Sequence, residues 1–232
     1  MKHCPHSFVD AFTMIELLIV VACLGIVAAL LLPVIARREA RVSKVNCANN
    51  LKQLGVAFRT WALDNADKYP TQVSITNGGT MELIDSGTVY RHFQVMSNEL
   101  STPKILVCPY ETRPESSIAT TFASSVLSRL PYSVPFTGDT NVSYFVGVDA
   151  VDTFPSMFLS GDANIGLDGA PPKAGLRSFG TNSNMSWFQP RHERKGNIAL
   201  ADGSVQAFNS LELRKALTAS GVTNRLAIPE SP

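Results

Sequence analysis

Residues 12–36 read FTMIELLIVVACLGIVAALLLPVIA, a run apolar on every face of a helix, with one carboxylate, Glu16, near its start. The 20 positions from Leu17 to Ala36 carry no charge. At about 1.5 Å per residue they make a helix of roughly 30 Å, the thickness of a bilayer core. A carboxylate beside such a run is costly in lipid, which marks Glu16 as a functional position. Further on, the pattern changes from all-round to one-sided. Leu51, Leu54, Gly55, Phe58, Trp61 and Ala62 recur at helical spacing, while Asn46, Asn49, Lys52, Gln53, Arg59 and Thr60 take the other faces. The pattern predicts one helix over residues 12–65, amphipathic in its second half and stopped at Asp67-Lys68-Tyr69-Pro70.

Beyond that stop the apolar positions come in short runs. Residues 69–88 read as loop, with a turn at Asn77-Gly78-Gly79. A short helix is expected within residues 91–100 and a strand over residues 104–108, ended by Pro109. Residues 142–148 and 158–160 are β-branched or aromatic and predict two more strands. Residues 162–186 are rich in Gly, Pro, Asn and Asp and predict a long surface loop. Asp202-Gly203 between two apolar runs predicts a two-residue type I′ hairpin that sets Leu200 against Val205 and Ile198 against Ala207. A last helix is expected over residues 211–219, started by Asn209 or Ser210 and ended by Gly221. The expected fold is α+β, a long and partly transmembrane N-terminal helix packed on a small antiparallel sheet.

Composition adds limits. Hydrophobic residues make up 45% and charged residues 17% of 232, with a net charge of +1. That excludes a disordered chain and leaves no electrostatic footprint for nucleic acid. Of the four cysteines, Cys4 precedes the apolar run and Cys23 lies inside it. Cys47 and Cys108 are too far apart for a Cys-x-x-Cys motif; they form a disulfide if exported, or two buried thiols.

The N-terminus admits three readings. A cleavable secretory signal would end near Val34-Ile35-Ala36, but the run is longer than an h-region and leaves Glu16 unexplained. A plain signal anchor meets Arg37, Arg38, Arg41 and Lys44 after the segment against Lys2 before it; alone, that asymmetry would hold the C-terminal part in the cytoplasm. The third rests on Ala11-Phe12-Thr13-Met14-Ile15-Glu16-Leu17-Leu18, which resembles the class III, type IV prepilin signal. Here Ala11 stands where that family usually has Gly, and Met14 where it has Leu. The resemblance implies cleavage between Ala11 and Phe12 by a membrane prepilin peptidase and methylation of the new Phe12 amine. It also implies a role for Glu16 in assembly, through the methylated amine of a neighbouring subunit; the plainer reading is that Glu16 snorkels to the interface. Pro33 matches a proline common in the family, and in any helix it removes a hydrogen bond and favours a kink.

Nine residues separate His192 from Asp202-Gly203. This spacing resembles the H-X9-DG motif of a large bacterial class of prepilin-processing-associated proteins, related to type II secretion pseudopilins. Leu51-Lys52-Gln53-Leu54-Gly55 and Leu106-Val107-Cys108-Pro109 also look like segments of that class. The resemblance implies a leader at residues 1–11, a polymerisation helix at 12–36, its amphipathic continuation at 37–66 and a periplasmic head at 67–232 that carries the motif at 192–203. It implies a pseudopilin subunit of a type II secretion or type IV pilus-like filament. Its partners would be a prepilin peptidase and methyltransferase, other pilin-like subunits, an inner-membrane assembly platform and the membrane. The chain would sit in the bacterial inner membrane, single-pass, until assembled.

Candidate chemistry is sparse. Asp162, Asn164 and Asp168 offer oxygens suited to Ca²⁺ but lack EF-hand spacing. His192, Glu193 and Asp202 offer another ligand set, against the plainer reading of His192 as a histidine hydrogen-bonded near the hairpin turn. There is no Gly-x-Ser-x-Gly, P-loop, dinucleotide fingerprint or His-Glu-x-x-His, so neither enzymatic activity nor a resident cofactor is expected. The alternative function is a single-pass membrane-anchored periplasmic binding or hydrolytic protein.

Overall fold

The computed structural model describes residues 13–123, 133–171, 173–188, 192 and 194–230, with the side chains of 32–43 left aside. Ala11, Phe12 and Glu193 lie outside these residues. The chain divides into two compact units, Met1–Val42 and Ser43–Pro232. One helix, α1 (Met14–Leu63), contributes to both and continues through Pro33.

In the second unit α1 behaves as its stripe predicts. Cys47, Leu51, Leu54, Gly55, Phe58, Trp61 and Ala62 are buried, while Lys52, Gln53, Arg59 and Thr60 face solvent. The helix stops where Ala66 and Asp67 both take φ of 56°. The Asn65 side chain donates to Trp61 O at 2.8 Å and closes the last turn.

A six-stranded antiparallel sheet forms the centre of this unit. In chain order its strands are β1 (Tyr144–Gly147), β2 (Phe158–Asp162), β4 (Gly175–Phe179), β6 (Lys195–Leu200), β7 (Val205–Asn209) and β8 (Asn224–Ile228). Their spatial order is β4-β8-β1-β2-β6-β7, and β3 (Ile165–Leu167) pairs with β5 (Met185–Trp187) in a second, two-stranded sheet. The fold is α+β, with a larger sheet than expected.

Alternation along the strands makes two cores. Tyr144, Val146, Leu159, Ala199, Ala201 and Ala227 pack with α1. Their neighbours Phe145, Phe158, Ile198, Leu200, Leu226 and Ile228 turn to the other face, as a period of two requires. There they meet Leu213 and Leu217 of α4 (Ser210–Ser220) and the β3–β5 pair. Alanines on the first face give room for Phe58 and Trp61 to approach. The segment between α1 and β1 covers that helix with 3₁₀ turns and two short helices, α2 (Tyr90–Gln94) and α3 (Ser97–Leu100). Phe58 packs edge-on to Tyr69 and Phe93, with ring centroids at 5.7 and 6.2 Å.

Four expectations need correction. Residues 104–108 are not a strand: Pro103–Leu106 is a 3₁₀ turn in which Lys104 N donates to the Thr102 side chain, and Pro103 supplies the φ that starts it. Residues 162–186 are no surface loop, since they hold β3, β4 and the start of β5, with Asp162 to Gly166 buried. The Asp202-Gly203 hairpin is shifted by one residue. Ala199 faces Val205 and Ile198 faces Gln206, because only Gly203 has positive φ, at 83°, and Leu200 N bonds Ser204 O across a three-residue loop. A type I turn with one left-handed glycine makes that loop, whereas type I′ needs two such positions. Finally β8, a strand between β4 and β1, was not foreseen; its NRLAI is short and follows the helix stop at Gly221. Asn209, one of the two proposed caps of α4, accepts from Leu211 N and Glu212 N while Glu212 reaches back to Asn209 N.

Candidate functional site

At the start of α1, Thr13 and Glu16 make a reciprocal cap. Thr13 N donates to Glu16 Oε2 at 2.8 Å and its hydroxyl to the same oxygen at 2.7 Å, while Glu16 N meets Thr13 Oγ1 at 3.4 Å. Thr-x-x-Glu at a helix start allows this because the first amides have no carbonyl four residues earlier. The carboxylate gains donors there but no cation among the described residues. The 18 residues Met14–Leu31 have a mean hydropathy of 2.8 and none is buried. This is one helix long and apolar enough to cross a membrane.

The second feature is polar and buried. Cys47 of α1 and Cys108 are joined by a disulfide with Cα atoms 5.2 Å apart. His192 lies against it, with Nε2 3.3 Å from Cys108 Sγ and 3.4 Å from Asp162 Oδ2. The same Asp162 oxygen accepts from Asn197 N at 2.7 Å and Asn197 Nδ2 at 3.1 Å. Tyr110 covers the imidazole, ring centroids 4.8 Å apart. Cys47, Cys108, Asp162, His192 and Asn197 are all buried. Strand pairing assembles the set: Gly161 faces Ile198, which brings Asp162 beside Asn197. The Cys108 amide is fixed by Ser143 Oγ at 2.9 Å, just before β1.

His192 is therefore not at the hairpin turn. It precedes β6 and Asp202-Gly203 follows it, so the six residues of that strand hold them roughly 20 Å apart. The turn end meets a different part of α1. Arg59 donates to Ala201 O at 3.1 Å and pairs with Asp152 at 3.2 Å, and a side chain on Gly203 would meet the Arg59 guanidinium at 3.2 Å. Tyr69 OH also reaches Ala201 O, at 3.3 Å. The nine-residue spacing thus measures one strand, clasped to α1 near Cys47 at one end and at Arg59 at the other.

The proposed calcium ligands do not converge. Asp162 serves Asn197 and His192, and Asn164 is buried and donates to Phe188 O at 2.8 Å. Asp168 is exposed in the turn beyond β3. Asp202 accepts from Ser204 N at 2.7 Å and shapes its own turn. The Asp162–His192 contact spans 30 positions and the three strands β3, β4 and β5, so no local pattern announces it; a helix-borne cysteine and a histidine before a strong strand were the only cues. A cleft of about 520 Å³ beside β3 and β4 is lined by Leu167, Asp168, Lys173, Arg177 and Phe179.

These features define a chain with one apolar N-terminal helix and an α+β unit clasped to that helix's continuation. Compared with family models, curated proteins and solved structures, the chain matches none.

Proposed function

We propose that this chain is a pilin-like subunit, inserted by its N-terminal helix, cut between Ala11 and Phe12 and assembled through that helix into an extracytoplasmic filament. One observation carries the reading: Met14–Leu31 is wholly unburied, yet the same helix supplies the buried stripe from Cys47 to Ala62. The unburied stretch offers apolar surface on every side for packing against copies of itself, and the buried stripe belongs to a head folded on the same helix. Glu16 at the apolar entrance fits the reading too. Its oxygen is held by Thr13 donors and carries a charge that a neighbour's amine would neutralise.

N-terminal sequencing of the mature protein tests the processing. A chain beginning at methylated Phe12 supports the reading; a start at Met1 or Arg37 overturns it in favour of an anchored or secreted protein. For assembly, Glu16→Leu should leave membrane insertion intact and abolish filaments or cross-linked oligomers. Unchanged assembly by that variant would remove the role given to the carboxylate.

A further inference from the structure

The geometry points to a second state of the buried clasp: once the disulfide is reduced, Cys47, Cys108, His192 and Asp162 form a tetrahedral zinc site. The sulfurs of both cysteines and a histidine nitrogen lie within 4.8 Å of one another. His192 Nε2 stands 3.3 Å from Cys108 Sγ and 3.4 Å from Asp162 Oδ2. A tetrahedral zinc ion with bonds of about 2.3 Å to sulfur and about 2.0 Å to nitrogen or oxygen has edges of roughly 3.3 Å between nitrogen and oxygen, roughly 3.5 Å between sulfur and nitrogen and roughly 3.8 Å between two sulfurs. The sulfur–nitrogen distance lies close to its edge, the 3.4 Å contact places the Asp162 carboxylate beside the same nitrogen, and the two sulfurs part once the disulfide is reduced. A separate observation marks the fourth ligand. Asp162 is fully buried, and its Oδ1 has no hydrogen-bond partner among the described residues. Asn197 holds Oδ2 and so fixes the carboxylate's orientation, as hydrogen bonds behind a metal ligand commonly do.

The step between the states is thiol–disulfide exchange. A dithiol reductant gives two electrons and two protons to the Cys47–Cys108 bond and closes to its own disulfide; zinc then displaces the two thiol protons to solvent. In either state α1 stays tied to the segment at Cys108, by a covalent bond in an oxidising compartment and by the metal in a reducing one. This inference is independent of filament assembly.

The test uses the full chain in detergent micelles, reduced with a phosphine, and cobalt(II) as a spectroscopic probe. One cobalt per chain should bind with thiolate-to-metal absorption and the intense visible bands of a tetrahedral site, and zinc should displace it. His192→Ala should weaken binding by at least about a hundredfold, beyond the range typical of losing an outer hydrogen bond, and the oxidised chain should bind none. X-ray absorption of the reduced, zinc-loaded wild type decides the matter should that variant not fold: two sulfurs and two lighter ligands support the site. Absence of thiolate-to-cobalt absorption, equal affinity in His192→Ala, or an all-sulfur shell would overturn it.

Discussion

The two halves of α1 share one backbone and obey opposite rules. From Met14 to Leu31 every described side chain is exposed, Leu18 at 68%, Leu24 at 63% and Leu30 at 69%. From Cys47 to Ala62 one stripe is buried and the rest is polar, exposed or, at Ala48, half-buried. The first half presents apolar surface in all directions and needs an apolar surrounding on all sides. The second needs it on one side, and the sheet supplies it. Hydrophobicity alone does not tell these apart; its distribution around the helix does.

If burial is the difference, truncation should be costly in one half and nearly free in the other. Phe58→Ala, which removes a ring packed against Tyr69 and Phe93, should destabilise the second unit by about 3–5 kcal/mol in denaturant unfolding. Replacing Cys47 and Cys108 together by Ser should cost about 2–4 kcal/mol, since the bridge closes a separation of 61 positions.

The cover over the second half also titrates. His92, whose Nδ1 lies 2.7 Å from Thr80 Oγ1, neighbours Phe93 in α2, and burial lowers its pKa from 6.5 to about 4. Below pH 6.5 the unfolded chain takes up a proton that the folded one refuses. Stability should therefore fall as pH drops from about 6.5 towards 4, by up to about 3 kcal/mol. His92→Gln should flatten that part of the pH profile of the unfolding midpoint. The smallest effect belongs to the bare half: Leu24→Ala should change the second unit's unfolding free energy by less than about 0.5 kcal/mol. A loss like that of Phe58→Ala would mean that the first half is buried after all.

How much of this the sequence showed depends on distance along the chain. α1 and α4 were legible because a stripe, a cap at Asn209 and a left-handed Gly221 are local signals. β1, β2 and the hairpin strands were legible as apolar runs, but the hairpin register was not, since Asp-Gly suits more than one loop and a shift of one residue reverses every face. β3, β4 and β5 hid in a stretch whose glycines and asparagines read as loop, although β4 lies in unbroken antiparallel register with β8 from Gly175 to Phe179.

By itself, then, the sequence determined the apolar helix, its carboxylate and the amphipathic continuation, because helical periodicity places side chains without reference to anything distant. It also gave His192 and Asp202-Gly203 a fixed separation. Only the tertiary structure decided what that separation means. Pairing of β2 with β6 sets Asp162 beside Asn197 and His192, packing of α1 on the sheet carries Cys47 to Cys108, and the turn end finds Arg59 instead. Contacts between residues 30 to more than 140 positions apart are set by which strands pair and which faces pack, and no local pattern encodes that choice.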